Sequence, residues 1–251
     1  MGLPGNEIHL YFSFPGEISG PALLQQYRAL LTDDELAQMS RLYFSRHRHQ
    51  FLITRALVRT TLSSYFNVEP AEWRFGKNGY GKPEIIHPTH SWPTSFNLSH
   101  CDGLVLCGVT RDHDIGVDAE DAQRSTVAAF DRLSSYFSES EIADLDLLPP
   151  EKQKQRFFDY WTLKESYIKA RGMGLAIPLS KFSFQFEADR LSGFKTHQSL
   201  MDDAGNWQFW RMSVAGRYRI ALAVNSTEKH KVRTFSSVPL KNNLPLPLTF
   251  L

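Results

Sequence analysis

Along the chain the spacing of apolar residues switches between two periods, and each switch predicts an element. His9 to Phe14 alternates as a short strand does. Thr32-Asp33-Asp34-Glu35 has the spacing of a capping box and predicts a helix start. From Ser45 to Phe66 the period lengthens. Phe51, Leu52, Ala56, Leu57, Leu62 and Phe66 form one apolar stripe there, so a long helix with one buried face is predicted. Pro70 closes that region. Lys77-Asn78-Gly79-Tyr80-Gly81-Lys82-Pro83 is a turn by composition, joining two short strands. Ser95–Leu98 and Leu104–Val109 read as paired strands around Cys101-Asp102-Gly103, and Ile115 with Val117 marks the next strand.

The second half begins in the same way. Val127–Ser134 is a predicted helix, and Ser138-x-x-Glu141 is a second capping box. Pro149-Pro150 breaks the chain, and Glu151–Ala170 is a long predicted helix that stops at Gly172. Phe182–Phe186, Trp207–Val214 and Tyr218–Val224 alternate and read as an antiparallel meander. Pro239–Leu251, with Pro245 and Pro247, reads as an irregular strap. Each half is helices followed by short strands, with a joint near Arg111-Asp112-His113-Asp114. The expected division is therefore 1–113 and 114–251, without a residue-level repeat between the two.

Composition narrows the class. A chain of 251 residues can bury a large core, and 42% hydrophobic with 22% charged residues is ordinary for a globular protein. A formal net charge of +1 offers no global attraction to nucleic acid. Met1-Gly2-Leu3-Pro4-Gly5 lacks a basic segment and a long apolar core, so no signal peptide is expected. No apolar run approaches the roughly 20 residues of a membrane helix. Cys101 and Cys107 cannot make a disulfide framework; small core residues in a reducing cytoplasm are expected. No Cys/His spacing matches a zinc site, His87, His90 and His100 being irregularly placed.

Two segments carry candidate chemistry. In Gly116-Val117-Asp118-Ala119-Glu120 the two carboxylates are two apart in a strand-like run and leave the same face. In Trp161-Thr162-Leu163-Lys164-Glu165-Ser166-Tyr167-Ile168-Lys169, running into Gly172-Met173-Gly174, Glu165 and Lys169 share a helix face with Trp161 one turn earlier. Alone, either segment reads as solvated surface charge. Beside Ile115, Val117, Phe157, Phe158 and Trp161, however, the carboxylates need partners, because an unpaired buried charge is costly. Asp118, Glu120 and Glu165 are a natural Mg²⁺ set, and Lys169 with Lys164 could meet phosphate oxygens. Lys164 points about 100° away from Glu165 around the helix, which ranks it lower. Ser99 and His100, adjacent on a strand, face opposite sides and cannot form a nucleophile–base dyad. Arg41, Arg46, Arg48 and Arg55, with His47 and His49, make the start of the Ser45–Phe66 helix basic.

Gly-Val-Asp-x-Glu is followed about forty residues later by Trp-x-x-Lys-Glu-Ser-x-x-Lys-x-x-Gly-x-Gly. Upstream, in order, stand Tyr80-Gly81-Lys82-Pro83 and Phe96-Asn97-Leu98-Ser99-His100. This series, spanning about residues 41 to 186, resembles the signature of the 4′-phosphopantetheinyl transferases of the larger, surfactin-synthetase-activating type. The resemblance implies an α+β fold: two similar α/β halves in a pseudo-twofold arrangement, each with a small, mainly antiparallel sheet packed by a long helix. It implies transfer of the 4′-phosphopantetheine arm of coenzyme A to a serine of an apo acyl- or peptidyl-carrier protein, with Mg²⁺, or Mn²⁺ in its place. Lys82, Ser99 and His100 would bind coenzyme A in the N-terminal half. Arg41, Arg46 and Arg48 are candidates for its 3′-phosphate. Asp118, Glu120 and Glu165 would hold the metal, with Asp118, Glu165 and Lys169 carrying the catalysis, and Lys164 would be a further phosphate ligand. Glu165, or a metal-bound water near it, would accept the serine proton. Tyr136 and Phe137 are the candidate carrier contacts. Short family members build the site between subunits; this longer chain is expected to work as a monomer.

A Mg²⁺-dependent nuclease commonly has a lysine two residues after its second acid, whereas Glu120 is followed by Asp121 and Ala122. A non-catalytic module binding coenzyme A or a carrier would be expected to have lost part of its metal set, and all three carboxylates are present.

Overall fold

The computed structural model describes residues 2–123 and 136–251, so the helix expected over Val127–Ser134 lies outside the described residues. Its α-helices are α1 (Pro21–Ala29), α2 (Asp33–Ser40), α3 (Ser45–Ser63), α4 (Glu139–Leu147) and α5 (Pro150–Arg171). The strands are β1 (Glu7–Ser13), β2 (Arg74–Lys77), β3 (Pro83–His87), β4 (Thr94–Cys101), β5 (Leu104–Arg111), β6 (Ile115–Asp121), β7 (Phe182–Glu187), β8 (Arg190–Thr196), β9 (Trp207–Val214), β10 (Tyr218–Asn225), β11 (Lys231–Val238), β12 (Asn242–Pro245) and β13 (Thr249–Phe250). The result is a mixed α+β fold whose contacts gather into two units.

The first unit comprises Met1–Asn78, Pro83–His113 and Lys229–Pro247. Its main sheet runs β12-β11-β1-β5-β4. The β1–β11 pair is parallel and the other pairs are antiparallel. α3 covers this sheet, burying Leu52, Ile53, Ala56, Leu57 and Leu62 with Val105, Cys107 and Val109 of β5. α3 ends at Ser63, three residues before the end of the apolar stripe. Cys107 is a buried free thiol and Cys101 a partly buried one, as expected of small core residues. The capping box of α2 is formed: Glu35 N–H donates to Thr32 Oγ1 (3.3 Å), and Thr32 N–H donates to Glu35 Oε2 (3.1 Å).

The second unit comprises Gly79–Lys82, Asp114–Glu228 and Leu248–Leu251. Its sheet runs β13-β9-β10-β6, and α5 packs on β6 and β10. Pro150 opens α5 rather than breaking it, because the first helical position needs no N–H donor. Gly172, at φ 67°, ends it in the left-handed region that glycine adopts without penalty. The expected meander is corrected in two ways. β10 pairs with both β9 and β6, while β7, among the described residues, pairs only with β8 in a separate two-stranded sheet. That hairpin turns Phe182 and Phe184 into the core beside Tyr167 of α5. The expected tail strap provides two edge strands, β12 and β13. No helix among the described residues is long and apolar enough to cross a membrane.

Candidate active site

Strand β6 lies along helix α5, and their residues meet in antiparallel order. A Cβ placed on Gly116 would stand 1.9 Å from the Ser166 carbonyl oxygen and 2.4 Å from the Ala170 nitrogen. Two strand residues on, Asp118 Oδ1 accepts from Lys169 Nζ at 2.5 Å. Two further on, Glu120 Oε1 accepts from Trp161 Nε1 at 3.2 Å. From Gly116 to Glu120 the strand advances about 13 Å, and from Ala170, beside Gly116, to Trp161 the helix advances about 13.5 Å. The match keeps every second strand residue facing the helix. Only a residue without a side chain permits the backbone contact at Gly116, and that contact brings the later carboxylates within reach of the helix.

Burial pushes the Glu165 carboxyl up to about 7. The neighbouring Asp118 carboxylate pushes in the same direction, and the Lys169 ammonium opposes both. Glu165 is therefore a desolvated acid beside a second acid, where an added cation lowers the cost of both charges. Asp118 is buried, whereas Lys169 keeps a quarter of its side chain exposed. Among the described residues no three His, Cys, Asp or Glu side chains stand grouped as a metal site. Asp118 is turned to Lys169, and Glu120 to Trp161. The donors themselves are hard carboxylate oxygens, as Mg²⁺ prefers, so the residue types fit that ion.

Lys164 is fully buried. Its ammonium is wholly buried, donating to the Leu179 (2.8 Å) and Phe182 (2.7 Å) carbonyls and pairing with Glu141 at 2.8 Å. Burial pushes its pKa down, and Glu141 opposes this. Glu141 is itself the acid of the second capping box and accepts from Phe184 N–H. The Lys164 ammonium is thus held in the core by two carbonyls and Glu141. Phe137 is likewise buried in this core, while Tyr136 is exposed.

Lys82 is half-buried, and its ammonium donates to the Ala170 (2.8 Å) and Ile115 (3.3 Å) carbonyls. On β4 Ser99 is buried and His100 exposed, as alternation requires. Arg41, after α2, is exposed; Arg48 Nη1 donates to the Leu42 (2.7 Å) and Tyr43 (2.8 Å) carbonyls; Arg46 lies over the Phe44 ring. Asp202 was not foreseen. Its Oδ2 accepts from Tyr167 Oη (2.6 Å), Arg171 Nη1 (2.6 Å) and Trp207 Nε1 (3.0 Å), tying down the last turns of α5. Nothing in the sequence of its loop signals this, because Tyr167 and Arg171 lie 35 and 31 residues away along the chain.

The 4′-phosphopantetheinyl transferase HetI of Nostoc sp. is 39% identical over 176 residues, covering 70% of this chain and 73% of that protein. The chain belongs to the 4′-phosphopantetheinyl transferase family. A family model for the 4′-phosphopantetheinyl transferase superfamily matches residues 114–223, which carry β6 and α5. One for the 4′-phosphopantetheinyl transferase N-terminal region matches residues 21–110. A second transferase of the family, from Bacillus subtilis, is 32% identical over 163 residues, covering 64% of this chain and 69% of that protein. The transferase Sfp of Bacillus subtilis strain 168 is 29% identical over 167 residues, covering 66% and 70%.

Proposed function

We infer that this chain transfers the 4′-phosphopantetheine moiety of coenzyme A to a serine of an apo acyl- or peptidyl-carrier protein, releasing adenosine 3′,5′-bisphosphate. The observation that carries the chemistry is the Lys169–Asp118 pair at 2.5 Å beside Glu165, whose carboxyl is raised to about 7. The serine oxygen attacks the phosphorus bearing the pantetheine, and the bond from that phosphorus to the adenosine bisphosphate oxygen breaks. Glu165 takes the serine proton at a carboxylate oxygen. Lys169 turns from Asp118 to the pyrophosphate, where its charge offsets the charge growing on the leaving oxygen. Asp118, Glu120 and Glu165 would hold Mg²⁺, or Mn²⁺ in its place, which when bound neutralises and orients the pyrophosphate.

Ser99, His100, Arg41 and Arg48 are assigned to the parts of coenzyme A remote from the reacting phosphorus. Contacts there act alike in the ground and transition states. His100→Ala should therefore raise KM for coenzyme A more than it lowers kcat. Every assigned residue belongs to one chain, and the working unit is proposed to be a monomer. At a coenzyme A concentration too low for His100→Ala to turn over, mixing it with Glu165→Ala should then restore nothing. The reading as a whole is tested by incubating the protein with coenzyme A, Mg²⁺ and an apo carrier. Intact mass of the carrier should rise by one phosphopantetheine group, and an unchanged carrier overturns the reading.

A further inference from the structure

The Lys82 ammonium sits at the place where β6 and α5 touch. Its first acceptor, Ala170, lies in the last turn of α5, just before the left-handed Gly172. Carbonyls of a last turn have no partner within the helix, and the negative end of the helix dipole favours a cation. Its second acceptor, Ile115, is the first residue of β6, which ends the sheet order β13-β9-β10-β6. Asn225 N–H donates to the Asp114 carbonyl, so strand alternation turns the Ile115 carbonyl away from β10 and towards the edge. One charged group thus joins the outer edge of the strand to the end of the helix.

The two joined residues are the ones beside the backbone contact. Ile115 precedes Gly116, and the Ala170 nitrogen would stand 2.4 Å from a Cβ on Gly116. Ala170 also follows Lys169, the partner of Asp118. A slip or fraying of the last helical turn would move Lys169 and Glu165 against Asp118 and Glu120. Gly81, at φ 95°, lets the turn before Lys82 reverse and deliver the side chain here.

We propose that Lys82 is a positioning residue, which sets the register of the last turn of α5 on β6 and so the geometry of Asp118, Glu165 and Lys169. It acts through backbone carbonyls rather than as a ligand of coenzyme A. The kinetic part of this proposal rests on the transferase reading; the structural part does not. Small displacements of positioned groups cost turnover steeply, up to about a hundredfold for 1 Å.

The test compares Lys82→Met, which keeps the apolar stem, with Lys82→Arg, which restores donors. For each, hydrogen exchange of the backbone amides from Ile168 to Gly172, calorimetric affinity for coenzyme A, and steady-state transfer to an apo carrier are measured. Lys82→Met should speed exchange in that segment and lower kcat at least about tenfold while changing coenzyme A affinity less than about threefold, and Lys82→Arg should recover most of both losses. Unchanged exchange in Lys82→Met overturns the proposal whatever the kinetics. So does a coenzyme A affinity weakened about tenfold with kcat retained, which would make Lys82 a phosphate ligand. If the wild-type protein transfers nothing, the transferase reading fails while the exchange comparison still decides whether Lys82 holds the helix end.

Discussion

Gly116 and Ser166 stand so close that a single added carbon on Gly116 would lie 1.9 Å from the Ser166 carbonyl oxygen. The obstacle is helix backbone, which cannot rotate away as a side chain can. Gly116→Ala should therefore push β6 off α5, costing about 1–3 kcal/mol or more in stability. It should also lower transfer activity by moving Asp118 and Glu120. Calorimetric melting checks the first effect, and a variant as stable as the wild type would refute the contact.

Asp118→Ala and Glu165→Ala should each leave a cooperatively folded protein with less than roughly a tenth of the wild-type turnover. Excess chelator should stop wild-type transfer, and added Mg²⁺ or Mn²⁺ should restore it. Full carrier modification in chelator would remove the metal from the reading. Retention of rate by either variant would remove that residue from the catalytic set.

The pH dependence of the metal-free chain follows from Glu165. Its folded carboxyl is raised from 4.5 to about 7. The unfolded chain therefore gives up this proton at lower pH than the folded one. Stability contributed by the protonated group is fully present below about 4.5 and is lost as pH rises through about 7. Melting temperatures measured across that window should fall more for the wild type than for Glu165→Gln. Parallel curves for the two proteins would place the titration elsewhere.

Lys164→Met should act on stability and not on coenzyme A. It leaves Glu141 buried without its cation, a change of the kind that costs about 3–5 kcal/mol when one partner of a buried pair is removed. Denaturant unfolding should register the loss, while KM for coenzyme A in the folded fraction stays near the wild-type value. A stable variant with a raised KM would return Lys164 to the ligands.

Most of the elements around the site were readable locally. Both capping boxes formed as their spacing predicts, since each bond links residues three apart. The turn at Lys77–Pro83 joins β2 to β3, and Ser95–Leu98 pairs with Leu104–Val109, because turn residues and alternation are local signals. α1, β8 and β11 went unread. β8 is mostly half-buried or exposed, so it shows little of the apolar alternation that marks a strand.

What the sequence determined by itself is the chemistry on each element. Strand alternation puts Gly116, Asp118 and Glu120 on one face, and helical spacing puts Trp161, Glu165 and Lys169 on one face, whatever either face meets. The tertiary structure decided which face meets which. It gave Asp118 to Lys169 and Glu120 to Trp161, sent Lys164 into the core with Glu141, and set Lys82 on the carbonyls of Ile115 and Ala170. The physical reason is range. Periodicity is fixed by the dihedral angles of neighbouring residues, whereas a contact between residues more than about twenty apart depends on how whole elements pack, which no local spacing records.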